Sequence, residues 1–146
     1  MKIIQVMPEF GLAGAETMCE NLTRELIKLG NQVIVVSLYT YHSAITDRLE
    51  QAGVDVRYLG KKPGLDLSMI SKLRKIFASE KPDVVHTHLY VMRYVIPAAR
   101  MAKVPRCVHT VHSIAQKENT MQGIVINKIF YRRGYSIPVA LSSLVR

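Results

Sequence analysis

Strand-length apolar runs alternate with helix-length amphipathic stretches along the whole 146-residue chain, and this alternation limits its folds more than any other feature. The runs are residues 2–7, 32–38, 55–59, 83–87, 106–111 and 137–141. Segments such as "VIVV" and "DVVH" are continuously apolar, as parallel strands covered on both faces should be. A strand–helix unit repeated in this way predicts a Rossmann-like, doubly wound α/β sheet with helices on both faces. With right-handed crossovers, the commonest order of such a sheet is 3-2-1-4-5-6. Length allows one good core and is short for two, so a single domain over residues 1–146 is expected.

The intervening stretches have helical periods and stops. Ala15, Met18, Cys19, Leu22, Leu26 and Leu29 recur at steps of three and four, and Gly30 follows as a stop. A second helix is expected over residues 43–52, ending at Gly53. The third places Leu67, Ile70, Leu73, Ile76 and Phe77 on one side, with a cap at Asp66 or Ser68 and an end at Lys81-Pro82. Residues 90–103 contain Pro97, so that helix is kinked or starts late. A fifth is expected within residues 124–133, before Gly134.

Twenty Lys and Arg against eleven Asp and Glu give a formal charge of +9, which favours an anionic partner. The cations are spread through "GKKPG", "SKLRK" and "YRRG" with no long run and little aromatic interleaving, which argues against nucleic acid. Lys61, Lys62, Arg93, Arg132 and Arg133 are the candidates for an anionic membrane surface. No run reaches the roughly 18 apolar residues of a membrane span, and the opening strand lacks a signal-peptide pattern. Cys19 and Cys107 have no metal-type spacing and suit burial as small hydrophobes in a reducing compartment. A cytoplasmic protein, peripheral at most to the inner face of a membrane, is the expectation.

In the predicted strand order, ligands bind at the carboxyl ends of strands 1 and 4. The turn "GLAGAE" falls there. Gly11 and Gly14 would permit positive φ and close backbone approach, and the helix start favours a phosphate or carboxylate. The alternative is a turn that lets the helix pack tightly, with Glu16 complementing the helix dipole. The spacing fits neither the G-x-G-x-x-G fingerprint nor a phosphate loop, and no G-x-S-x-G elbow occurs. His86 and His88 close the fourth strand, and His109 and His112 the fifth. A zinc site would need a third ligand that these segments lack, so imidazole bonded to a sugar hydroxyl or phosphate is favoured and no metal is expected.

Four segments in order, "MKIIQVMPEFGLAGAETMCENLTRELIKLGNQVIVVS", "KPDVVHTHLY", "VPRCVHTVHS" and "IPVALSSLVR", resemble the amino-terminal half of a GT-B glycosyltransferase of family 4. The resemblance implies a retaining enzyme with two Rossmann-like domains, the amino-terminal one facing the acceptor. The family's G-G-A-E turn maps onto Ala13, Gly14, Ala15 and Glu16, beside the donor diphosphate and sugar. Its T-x-H segment maps onto Thr110 to His112, with His112 next to the transferred sugar as the catalytic residue. The H-x-H segment places His88 at the cleft. Ala13 stands where the family has a glycine.

The implied partners are a nucleotide-sugar donor and a saccharide or lipid-linked acceptor, with no obligatory metal or other cofactor. The family's E-x7-E motif has no counterpart up to Arg146, so a carboxyl-terminal donor-binding domain is expected as a partner for activity. Two other classes remain open from the residues: a free-standing nucleotide-binding or regulatory module, and a basic membrane-docking domain. The segment "SIAQKENTMQG" is a candidate acceptor loop.

Overall fold

The structure, a computed structural model, describes residues 1–11, 14–111 and 121–140. Six strands form one parallel sheet: β1 (Lys2–Met7), β2 (Gln32–Ser37), β3 (Asp55–Tyr58), β4 (Val84–His88), β5 (Arg106–Val111) and β6 (Ile137–Ala140). Their spatial order is β3-β2-β1-β4-β5-β6, as the alternation predicts. The described helices are α1 (Gly14–Lys28), α2 (Ala44–Gln51), α3 (Ser68–Glu80), α4 (Met92–Met101) and α5 (Met121–Arg132).

Strand pleating divides the core between the two faces. Ile3 and Met7 of β1 pack with Cys19 of α1 and with Ile45 and Leu49 of α2. Ile4 and Val6 point the other way, to Leu73 and Phe77 of α3 and Val95 of α4, where Phe130 of α5 also packs. Strands buried on both sides need the continuous apolar character that "IIQVM" and "VIVV" show.

Helix ends follow local chemistry. Ser43 and Thr46 form a reciprocal capping box on α2, each side-chain oxygen accepting from the other's backbone N–H. Gly30, Gly53 and Gly134 take φ values of 90°, 83° and 69° where three helices stop. Lys81 closes α3 in the left-handed region ahead of Pro82. Leu67 is the residue before α3, and its side chain supplies no cap. Asp66, one residue earlier, accepts from the Ser68 amide and hydroxyl and from the Lys62 amide. α4 begins at Met92 and carries Pro97 inside it.

The expected stripe on α1 is rotated. Leu29 is 78% exposed, whereas Glu16, Cys19, Glu20 and Thr23 are buried. Polar partners explain the shift. Both carboxylate oxygens of Glu20 accept from Arg48 of α2, at 2.8 and 2.9 Å, and Arg24 adds a contact at 3.3 Å. Leu67 is likewise exposed rather than on the packed side of α3.

Candidate functional site

The carboxyl ends of β1, β4 and β5 meet at one edge of the sheet, flanking the point where the strand order reverses. The chain leaves β1 through Pro8 and Glu9, and the fully buried Phe10 anchors the exit. The Leu38 and Tyr39 amides donate to the Met7 and Pro8 carbonyls, tying the end of β2 to it.

Neither Gly11 nor Gly14 has a positive φ, so the expected left-handed turn is absent at these two positions. Among the described residues, a side chain at Gly14 would meet nothing within 4 Å, and one at Gly11 would stand 3.6 Å from Glu16 Oε1. The backbone therefore requires glycine at neither position. At Gly14 a side chain would fill open space over the first amides of α1, which have no helical acceptor of their own. Ala13 lies outside the described residues, and so does His112.

Glu16 sits in the first turn of α1, only 8% exposed, and its Oε2 has no hydrogen-bond partner among the described residues. The helix dipole stabilises a carboxylate there, but leaves a buried acceptor without a donor. A ligand hydroxyl would satisfy it.

Behind this turn, a polar chain crosses three strands on the α1 side of the sheet. Thr23 of α1 accepts from Gln5 Nε2 at 3.5 Å, and Gln5 Oε1 lies 2.7 Å from His88 Nε2. With the Gln5 amide so oriented, His88 carries its proton on Nε2. The His88 and His86 rings lie 4.3 Å apart, and His86 Nε2 is 2.6 Å from Thr110 Oγ1. All five residues are buried, which places His88 and Thr110 one layer beneath the surface. On the opposite face, Thr87 Oγ1 pairs with His109 Nδ1 at 2.8 Å, beside Tyr131. The alternation rule thus separates His109 from the other two. Leu89, immediately after His88, takes φ 59°, a left-handed conformation uncommon for a non-glycine residue.

A second cluster on the same edge has no counterpart in the sequence reading. Lys61, a candidate for membrane contact, is 7% exposed. Its Nζ donates to the Tyr39 hydroxyl and to the Lys62 and Gly64 carbonyls, and lies 4.9 Å from the centre of the Tyr39 ring. Burial, with Tyr39 and Glu9 nearby, raises the Tyr90 phenol to about 12. The signal for this cluster was a tyrosine just past the end of two strands, in "SLYTY" and "THLY". Gln5 was likewise marked by being the one polar residue in "IIQVM".

Both thiols are free and buried. Burial pushes Cys19 up to about 12 and Cys107 to about 11, so both stay protonated and unreactive near neutral pH. Among the described residues, no group of three or more His, Cys, Asp or Glu could hold a metal ion.

A doubly wound parallel sheet with helices on both faces, and with a helix start and buried imidazoles at its switch point, defines a Rossmann-like α/β domain. The model of Glycosyltransferase Family 4 matches residues 12–141, and the chain belongs to that family. Solved structures agree on the fold at low identity. HepE from Anabaena, in complex with UDP and glucose, aligns over 99% of this chain with a TM-score of 0.79 and 16% identity. A glycosyltransferase from Rickettsia africae aligns over 97% with a TM-score of 0.67 and 15% identity, and MurG from Acinetobacter baumannii over 75% with 0.58 and 14%. The chain spans 39%, 42% and 34% of those three proteins, respectively. A search of curated proteins returns no match.

Proposed function

We propose that this chain is the acceptor-side domain of a retaining glycosyltransferase, which moves a sugar from a nucleotide-sugar donor to a saccharide or lipid-linked acceptor without an obligatory metal. The observation that carries the reading is the α1 entrance, where Gly14 leaves open space and Glu16 keeps an unpartnered acceptor at the switch point. A saccharide offers hydroxyl protons to such a carboxylate, while exposed amides at a helix start suit the charged part of a donor. The family match supports sugar transfer as the chemistry.

In this reading the Gly14 backbone approaches the donor, with Ala13 beside it, and Glu16 accepts from a sugar hydroxyl. His88 and Thr110 act from beneath, as part of the hydrogen-bonded layer that fixes the β4 and β5 exits. His112 is the residue proposed to lie beside the transferred sugar. Nucleotide and leaving-group contacts are assigned to a carboxyl-terminal domain of the whole enzyme, because differential stabilisation of the leaving diphosphate carries most of such a reaction.

The test is binding to this chain of saccharides and of UDP, followed by saturation-transfer NMR. Saccharide binding that Gly14→Val weakens about tenfold, with UDP binding weak, supports the acceptor role. Tight UDP binding by the chain alone would instead favour a free-standing nucleotide module. In an enzyme carrying this domain, Gly14→Val and His112→Ala are expected to abolish transfer.

A further inference from the structure

The positive charge is not shared evenly along the chain. Residues 1–83 hold eleven Lys and Arg against ten Asp and Glu, whereas residues 84–146 hold nine against the single carboxylate of Glu118. Six of those nine, Arg100, Lys103, Arg106, Lys128, Arg132 and Arg133, are described and exposed. Arg100 and Arg106 line one cavity with Gly134, the residue after Arg133, at the junction of α5 with the turn between α4 and β5.

The outer face of α5 adds an apolar component. Val125, Lys128, Ile129 and Arg132 recur at helical spacing and share one side, and Val125 and Ile129 are 56% and 48% exposed. The inner side of the same helix packs Phe130 and Tyr131 against the core. Aliphatic chains flanked by cations, with no carboxylate on the helix, are the composition of an interfacial helix.

At the end of α5, Arg100, Arg106, Cys107 and Tyr135 line a cavity of about 170 Å³. The Arg100 guanidinium lies 3.7 Å over the Tyr135 ring. Stacking occupies the flat face of the guanidinium and leaves the N–H groups along its edge for an oxyanion.

We infer that the outer face of α5 and the adjoining α4–β5 turn form a docking surface for an anionic lipid bilayer. Charge complementarity selects this occupant: a cationic field with aliphatic chains at its centre, bordered by the Asp83 carboxylate beside the start of β5, matches phosphate headgroups above an acyl layer. The cations near Arg106 lie at the start of β5, the edge opposite the Gly14 entrance, so docking would leave that entrance uncovered. The surface replaces Lys61, which is buried, as the membrane contact. It goes beyond the proposed activity and is testable without it.

The experiment is co-sedimentation of the chain with vesicles of phosphatidylcholine alone and of phosphatidylcholine mixed with phosphatidylglycerol, over increasing sodium chloride. Expected is binding to the mixed vesicles only, falling with salt. Lys128→Glu/Arg132→Glu/Arg133→Glu should weaken it about a hundredfold. The control Arg74→Glu/Lys75→Glu, on the exposed side of α3, should leave it near wild type. Val125→Ser/Ile129→Ser keeps every charge and should weaken binding while preserving its salt dependence, so it decides the question if the triple variant misfolds. Equal binding to both vesicles, no response to either α5 variant, or self-association that masks α5 without lipid would overturn the inference.

Discussion

Lys2, Arg24, Lys28, Arg48 and Arg57 each lie within 3.3 Å of a carboxylate, whereas no such pair forms among the described residues after Glu80. In the β1–β3 half, carboxylates nearly match the cations and part of the charge is paired inside the fold: Glu20 holds α1 to α2 through Arg48, and Glu80 joins Lys2 and Arg57, while Lys62, Lys72, Arg74, Lys75 and Lys81 stay exposed. In the β4–β6 half, Arg100 stacks on an aromatic ring and the other exposed cations face outward. Paired charges hold elements together and are silent towards partners. Unpaired charges of one sign contribute little to the fold and remain available for recognition.

Four perturbations test this contrast. The largest effect on stability should fall where the halves share a core: Phe77→Ala, at a 1%-exposed position, is expected to cost about 4 kcal/mol in denaturant unfolding. Far-UV and near-UV signals should then be lost together, because β1 and β4 rest on the same helices.

Gly14→Val should leave unfolding unchanged, since its side chain has room, and weaken saccharide binding roughly tenfold in calorimetry, the loss of about one good hydrogen bond. A destabilised variant would show instead that the glycine serves packing.

Acid should act on the paired half. Hydrogen bonds from Arg48 hold Glu20 below its ordinary 4.5, and those from Arg57 and Lys2 do the same for Glu80. Backbone and Ser68 hydrogen bonds hold Asp66 at about 2 against 3.8. A carboxyl whose value is depressed on folding stabilises the native state above its unfolded value, and that contribution is lost as pH falls through the folded one. Stability measured by thermal melts should therefore be flat near neutrality and decline below about pH 4.5, towards pH 2. Glu20→Gln should flatten part of that decline.

The smallest effect separates the halves most cleanly. Arg48→Ala should lower the melting temperature, as it leaves the buried Glu20 carboxylate with only Arg24, while Arg106→Gln should not. For lipid binding the ranking should invert.

Periodicity made the fold legible. Continuous apolar runs gave the strands, glycines at 30, 53 and 134 gave helix ends, and the crossover rule gave the sheet order. The rotated face of α1 was hidden because Glu20 and Thr23 are polar, and their burial depends on Arg48 of α2 and Gln5 of β1, which lie far away in sequence. The position of the candidate site was legible in outline: strand order puts Gly14 and Glu16 on that rim. Its second layer was not, since Gln5 meets His88 across 83 residues. Lys61 misled for the related reason that a lysine in a "GKKPG" turn looks solvated until Tyr39 and two carbonyls enclose it.

The most direct test of the central claim is backbone amide NMR of the chain titrated with neutral and acidic saccharides and, separately, with UDP. Saccharide-dependent shifts are expected at Gly11, Gly14 to Thr17 and Thr87 to Tyr90, needing about tenfold more saccharide in Gly14→Val, with UDP producing weaker changes. Saccharides that leave those amides unmoved, or UDP bound more tightly than any saccharide, would contradict it.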